Sequence, residues 1–304
     1  MEPFNVVILG CGSALPTPHH YASSQVLNVR GKSFMIDCGE GTQMQVRRAR
    51  IGFNKIDHVF ISHLHGDHCF GLIGMISTFG MMGRTAPLFI HAPEPLGPML
   101  NAQLEMFCRD LDYTVHFDPI DTTVQQVIYE DRSLTVESIP LSHRVPTCGF
   151  LFREKPLLPH IRREMIDFYH IPLWRIQEIK EGADWLTEEG EHVPNERLVS
   201  PADPARSYAY CSDTCYLPQL HKQLQNVDTI YHESTYGNDN RQRAEKYFHS
   251  TAEQAAMVAR DAHAKKLILG HFSSRYNDEN QLLAEAQAVF PNTVLAQEMA
   301  VIDV

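Results

Sequence analysis

The sequence predicts an α/β chain made of two β-sheets packed face to face with helices outside. Strand-forming stretches arrive in two batches, and each batch is followed by helical stretches. Several strands also end on a histidine or an aspartate, so polar side chains gather where strands meet loops. In order, "NVVILG" is a strand and "CGSALPTP" the Gly/Pro-rich loop after it. "SSQVLNV" and "SFMIDCG" are two more strands, and "EGTQMQVRRAR" is a helix. "HVFISH" is a strand that runs into a histidine cluster, and "GLIGMISTFGMM" is helical. "PLFIHAP", "TVQQVIYED" and "LTVESIPL" continue the strand pattern. Residues 153–200 differ: prolines, charges and both tryptophans gather there without a long strand, which predicts an insertion into a single domain spanning 1–304. Strands resume with "SYAYCSDT", "TIYHEST" and "KKLILGH", and the amphipathic helix "TAEQAAMVARDAHA" lies between the last two.

The 304 residues suffice for a sizeable core, and 43% hydrophobic with 21% charged residues excludes wholesale disorder. A net charge of -11 argues against binding nucleic acid through bulk charge, but it leaves room for a local basic patch or a metal-centred phosphate site. The start "MEPFNVVILGCG" has an acid where a signal peptide carries bases, and no run approaches the roughly 20 apolar residues of a membrane span. The expectation is a soluble cytoplasmic protein. Seven scattered cysteines, with Cys211 and Cys215 in "CSDTC", read as ordinary thiols rather than a disulfide framework.

The stretch "ISHLHGDH" crowds His63, His65, Asp67 and His68 into six positions. Two apart on a strand end, His63 and His65 share a face, and the "GD" turn lets Asp67 and His68 point back to the same spot. Neutral imidazole and carboxylate are good ligands for zinc or similar divalent ions. Four of them in so short a loop exceed what one tetrahedral ion takes conveniently, so two ions are the natural reading. Further ligands must then come from other strand ends. His143 in "IPLSHRVPTCGF", Asp213 in "YAYCSDT" and His271 in "LILGHFSSRY" each follow a strand, and Asp213 is the best candidate for a bridging carboxylate. Most of the 17 histidines, among them His20, His58 and His91, read as surface or satisfied core residues. Just after His271, Ser273, Ser274 and Arg275 are placed to contact phosphate, and the Arg275 guanidinium suits that task.

"SHLHGDH" resembles the H-x-H-x-D-H signature of the metallo-β-lactamase superfamily. "LGCGSALPTP", "IDCGEGTQMQ", "LSHRVPTCGF", "YCSDT", "HESTY", "HSTAEQAA" and "LGHFSSRY" together resemble the bacterial ribonuclease Z family, in that family's order and over nearly the whole chain. The resemblance implies a four-layer αββα metallo-β-lactamase sandwich, two Zn2+ per subunit, a homodimer, and endonucleolytic removal of the 3′ trailer from precursor tRNA. It implies that His63, His65 and His143 hold one ion, that Asp67, His68 and His271 hold the other, and that Asp213 bridges. It also implies Asp67 as general base and His249, in "HST", as the proton donor to the leaving group. Glu233 would orient His249, and Thr251 would fix the local geometry.

In the family an arm that grips the tRNA elbow is inserted between the third histidine and the bridging aspartate, where this chain has 153–200. The segment departs from the family's Gly-Pro-rich basic tip: it reads "IPLWRIQ", and acids such as Glu178, Glu181 and Asp184 outnumber bases. Trp174, Arg175 and Lys180 remain as a small stacking and phosphate-binding patch, and Arg47 to Arg50 as a further backbone contact or a solvated helix face. The competing readings are another hydrolase of this fold, acting on a small phosphodiester or a thioester, and a tRNA-binding module without chemistry.

Overall fold

The computed structural model describes residues 3–304, so Met1 and Glu2, at the start of the stretch read for a signal peptide, lie outside the described residues. The first batch of strands is β1 (Phe4–Gly10), β2 (Ser24–Val29), β3 (Lys32–Cys38), β4 (Ile56–Phe60), β5 (Leu88–Pro93) and β6 (Val115–Ile120). Then come β7 (Val127–Glu130), β8 (Leu134–Pro140) and β9 (Cys148–Glu154). Residues 154–205 form a separate compact unit. It holds four two-residue strands: β10 (His160–Ile161), β11 (Trp185–Leu186), β12 (His192–Val193) and β13 (Val199–Ser200). Next are β14 (Ser207–Cys211), β15 (Thr229–Glu233), β16 (Lys266–Gly270), β17 (Thr293–Leu295) and β18 (Val301–Asp303).

The long strands make two seven-stranded sheets, ordered β18-β1-β2-β3-β4-β5-β6 and β17-β16-β15-β14-β9-β8-β7. Side-chain alternation assigns the layers. On β1, Val6 and Ile8 join the core between the sheets, with Phe34, Phe60, Phe150, Phe152 and Tyr231. Val7 and Leu9 face the other way, with Val59, Ile90, Met75, Ile76 and Phe79, toward the helix Leu72–Met81. The expected sandwich with helices outside is what forms. Parallel pairing runs from β3 to β6 and from β14 to β17, so those strands end on the same side of their sheet.

Two elements were not visible in the sequence. The helix Leu96–Phe107 carries Pro98, a helix breaker in most contexts. Here it sits in the first turn, where its missing N–H has no acceptor to lose. β6 contains Pro119, which a central strand would not tolerate, and β6 is a sheet edge. The unit 154–205 has its own small core of Tyr169, Ile171, Ile179, Val193 and Leu198. β10 pairs with β13 and β11 with β12, joined by helices such as Arg163–Phe168 and Ile176–Lys180.

Candidate metal centre

The side chains picked out in the sequence sit at strand ends. His63 and His65 lie just past Phe60, the last ladder residue of β4, and the short helix Gly66–Cys69 carries Asp67 and His68. His143 follows β8, Asp213 follows β14 and His271 follows β16. Glycines make room for this. A Cβ on Gly39 would stand 2.3 Å from the Asp67 carbonyl oxygen, and one on Gly270 would stand 2.0 Å from the Tyr231 hydroxyl. His271 itself has φ 59° and Asp37 has φ 56°, left-handed conformations that non-glycine residues adopt mainly where the surrounding structure enforces them.

Seven side chains converge as two sets. In the first, His63 Nε2 is 3.1 Å from His65 Nδ1, His143 Nε2 is 3.3 Å from His65 Nδ1, and Asp213 Oδ2 is 3.7 Å from both His63 and His143. In the second, His68 Nε2 is 3.4 Å from His271 Nε2, Asp67 Oδ2 is 3.4 and 3.3 Å from those nitrogens, and Asp213 Oδ1 is 3.4 and 3.1 Å from them. Asp213 thus gives one oxygen to each set. Ligand atoms around a tetrahedral zinc at 2.0–2.1 Å are about 3.3 Å apart, close to the spacing of the second set.

Hydrogen bonds settle which ring nitrogens face inward. His68 Nδ1 donates to Asp37 Oδ2 at 2.7 Å, and His143 Nδ1 donates to the Phe248 carbonyl at 2.8 Å. The Thr235 hydroxyl donates to Glu233 Oε2, so its oxygen accepts from His271 Nδ1 at 2.8 Å. Ser62 donates to Asp37 and accepts from His63 Nδ1 at 3.0 Å. In neutral imidazoles this leaves a bare Nε2 lone pair on each of the four rings, aimed at the others. Asp213 Oδ1, fully buried, has no hydrogen-bond donor. Converging lone pairs and a buried, undonated carboxylate oxygen repel one another unless a cation lies among them, so these residues fit divalent metal ions.

The electrostatics agree. Burial opposes charge on His68, but Asp67, Asp213 and Asp37 outweigh it and raise its affinity for positive charge well above the usual range. Burial opposes the ionised form of Asp67 too, and His68 and His271 outweigh it, holding the carboxylate far below its usual range. For His63, burial and then His68 depress protonation.

His249 stands beside this centre. Its Nδ1 donates to Glu233 Oε1 at 2.9 Å, and one of its ring nitrogens lies within 4.8 Å of the ligand atoms of Asp213 and His271. Burial works against charge on His249, but the Glu233 carboxylate outweighs it and pushes the imidazole up to about 9. Thr251 caps the helix Ala252–Asp261, its hydroxyl accepting from Gln254 N while Gln254 caps back, and this anchors the chain two residues beyond His249. A cavity of about 460 Å³ opens over the centre, lined in part by Asp67, Asp213, His249, Ser273, Ser274 and Arg275.

Full-length comparison decides the family. The ribonuclease Z of Phocaeicola vulgatus is 56% identical over 298 residues, 98% of this chain and 96% of that one. That of Porphyromonas gingivalis is 50% identical over 303 residues and the whole of both chains. The chain belongs to the ribonuclease Z family. Its N-terminal half also carries the domain described by a family model for "Anti-Pycsar protein Apyc1", which matches residues 4–159. The human short-form tRNase Z shares the fold, with a TM-score of 0.70 at 24% identity over 99% of each chain.

The centre also brings in residues that the sequence did not single out. Asp37 accepts from Ser62, Tyr210 and His68, and through Ser62 also steadies His63, so one buried carboxylate braces rings of both sets. Its only sequence signal was an acid at the end of an apolar strand in "FMIDCG". Thr235 links Glu233, His249 and His271. Arg144, Arg243 and Tyr247 also line the cavity, and both guanidiniums lie over the Tyr247 ring, at 5.4 and 5.8 Å. The run Arg47 to Arg50 is not among the cavity residues; Arg48 instead donates to Tyr21 and Gln45.

Proposed function

We propose that this ribonuclease Z removes the 3′ trailer from precursor tRNA as a cytoplasmic, two-zinc endoribonuclease that leaves a 3′-hydroxyl on the tRNA. The observation that carries this reading is the pair of ligand sets sharing Asp213 beneath a cavity bordered by Arg144, Arg243 and Arg275. His63, His65 and His143 would hold one zinc, Asp67, His68 and His271 the other, with Asp213 between. Metal bound there supplies positive charge that acidifies water and offsets the charge of a phosphodiester.

The chain's own residues then handle protons and position. Asp67, held ionised at the cavity, accepts the proton of the attacking water. The water oxygen bonds to phosphorus, the P–O3′ bond breaks, and His249 gives its proton to the departing O3′. Glu233 keeps His249 charged and turned. Arg275, Arg144 and Arg243 receive the non-bridging oxygens and the flanking phosphates.

Residues 153–200 serve as the tRNA-binding arm. Trp174 is 70% and Leu173 80% exposed, and the Arg175 guanidinium lies 5.4 Å from the Trp174 ring, an arrangement suited to stacking on a base or ribose rather than a salt-dependent grip. A homodimer would use the outer helices. Met81, which ends the helix Leu72–Met81, is 77% exposed, and Phe70, just before that helix, is 70% exposed; these are large apolar side chains whose exposure a partner would relieve. Met81→Lys is expected to raise the dimer dissociation constant about tenfold or more, read by sedimentation. Among the described residues, no helix is long and apolar enough to cross a membrane.

The deciding experiment incubates the zinc-loaded protein with a labelled precursor tRNA bearing a 3′ trailer, beside a hairpin RNA. One cut next to the acceptor stem, absent on the hairpin, is expected. In the same assay Trp174→Ala should raise KM about tenfold with little change in kcat, since base–aromatic stacking contributes about 1–3 kcal/mol. No cut, with bis(p-nitrophenyl) phosphate still hydrolysed, would transfer the substrate assignment to a small phosphodiester.

A further inference from the structure

A second meeting of metal-binding groups lies outside the catalytic cluster. Cys11 follows β1, His20 lies in the next loop, Glu298 precedes β18, and Glu279 immediately precedes the helix Asn280–Gln287. The Cys11 sulfur, fully buried, is 3.4 Å from His20 Nδ1. The same nitrogen is 3.1 and 3.2 Å from the two oxygens of Glu298. His20 Nε2 is 3.1 Å from Glu279 Oε1. The ligand atoms of Cys11, His20 and Glu298 all lie within 4.8 Å of one another.

An ion pair between His20 and the two glutamates explains part of this, and the Cys11 thiol can donate to the Ala296 carbonyl at 3.6 Å, but neither accounts for the closer approach of the sulfur to His20 Nδ1. One Nδ1–H cannot serve a sulfur and both carboxylate oxygens at once. A cation among Sγ, Nδ1 and the Glu298 carboxylate satisfies all three. Zinc bonds at 2.3 Å to sulfur and 2.0–2.1 Å to nitrogen put those two atoms about 3.5 Å apart, against the 3.4 Å found. Glu279 then takes the part that carboxylates play behind metal-bound histidines, accepting Nε2–H and fixing the ring. Thiolate with imidazole and carboxylate selects a borderline-soft divalent ion.

We propose that Cys11, His20 and Glu298 form a third, non-catalytic zinc site, with Glu279 orienting His20. On binding, the Cys11 thiol releases its proton to solvent. The site ties the loop after β1 to the segment before β18. Ser13, Ala14 and Leu15 of that loop line the catalytic cavity, so the ion would hold one wall of the substrate site in place.

None of the seven residues proposed for the catalytic pair carries sulfur, so cobalt separates the sites. The whole protein is stripped with chelator and loaded with Co2+. Three equivalents per chain are expected, with a near-ultraviolet sulfur-to-cobalt charge-transfer absorption. Cys11→Ser should lose that absorption and one equivalent. Cys69→Ser, which removes the thiol next to His68 in the chain, should keep both. Glu298→Gln keeps an acceptor for Tyr21 N and should bind the third ion at least tenfold more weakly, which covers the case in which Cys11→Ser fails to fold. Two equivalents with no such absorption in the intact protein, an absorption that survives Cys11→Ser, or an unchanged third affinity in Glu298→Gln would overturn the proposal.

Discussion

Asp213→Ala is expected to leave the two catalytic ligand sets with one ion or none between them and to lower turnover on precursor tRNA by about a thousandfold or more. The scale follows from position. Removing one preorganised transition-state donor costs about 10²–10³ in kcat, whereas Asp213 touches both ligand sets, with Oδ2 at 3.7 Å from His63 and His143 and Oδ1 at 3.1 and 3.4 Å from His271 and His68. Alanine takes an oxygen from each set and leaves five imidazole lone pairs facing one another with a single carboxylate, Asp67, to balance a cation. Asp213→Asn should be milder in metal content, because one carbonyl oxygen persists, yet it too should lose the pairing. Asp67→Asn makes a useful contrast. It keeps an oxygen for the second set and removes the basic carboxylate, so it should retain more metal than Asp213→Ala while still losing most of its turnover. Metal analysis in a Cys11→Ser background beside single-turnover cleavage checks all three, and two ions tightly held by the catalytic sets in Asp213→Ala would refute the bridging role.

How much of this centre could be read from the sequence depended on how local each signal was. "HLHGDH" was legible because four groups share one loop, and His143, Asp213 and His271 were legible because each repeats the pattern of a strand and then a polar side chain. Asp37 was not, because in "FMIDCG" it looks like any strand-end acid, and its four donors come from Ser62, His68 and Tyr210, which are distant in the chain. Arg144, Arg243 and Tyr247 meet only through tertiary packing, and no spacing rule joins them. The left-handed φ of 58° at Phe248 was equally hidden, since phenylalanine gives no hint of it. That conformation occurs where the Phe248 carbonyl meets His143 and the next residue, His249, reaches the cavity. The architecture as a whole was more legible than the centre's supports, because it rests on periodicity, which survives without knowledge of distant contacts. Where periodicity fails, as in the two-residue strands of 154–205, only the absence of a long strand could be read.

His249→Ala is expected to slow cleavage of precursor tRNA by about 10²–10⁴, the usual contribution of a positioned general acid, while slowing bis(p-nitrophenyl) phosphate far less. The difference lies in the leaving group: O3′ of a ribose needs a proton as it departs, and p-nitrophenolate does not. Glu233 makes the test sharper. Its carboxylate accepts from Thr214 N, Ser250 N and His249 on one oxygen and from Thr235 N and its hydroxyl on the other. Every neighbour is a donor, so Glu233 is held ionised, with burial opposing the charge and His249 outweighing it. In return Glu233 raises the His249 imidazole. An acid catalyst works in its protonated form, so activity that depends on His249 is present below its pKa and lost as pH rises through it. Glu233→Gln removes the raising charge, and the alkaline fall in kcat should therefore move to lower pH. Cations held by the adjacent ligands pull the same pKa downward, so the direction of the displacement is the readout. Glutamine also sets an amide donor among those donors and costs stability, so the rate alone would not distinguish a catalytic from a structural loss. The pH profile does, together with the leaving-group comparison. Equal slowing of both substrates by His249→Ala, or an alkaline limb unmoved by Glu233→Gln, would make His249 a positioning residue and send the proton to O3′ from another donor.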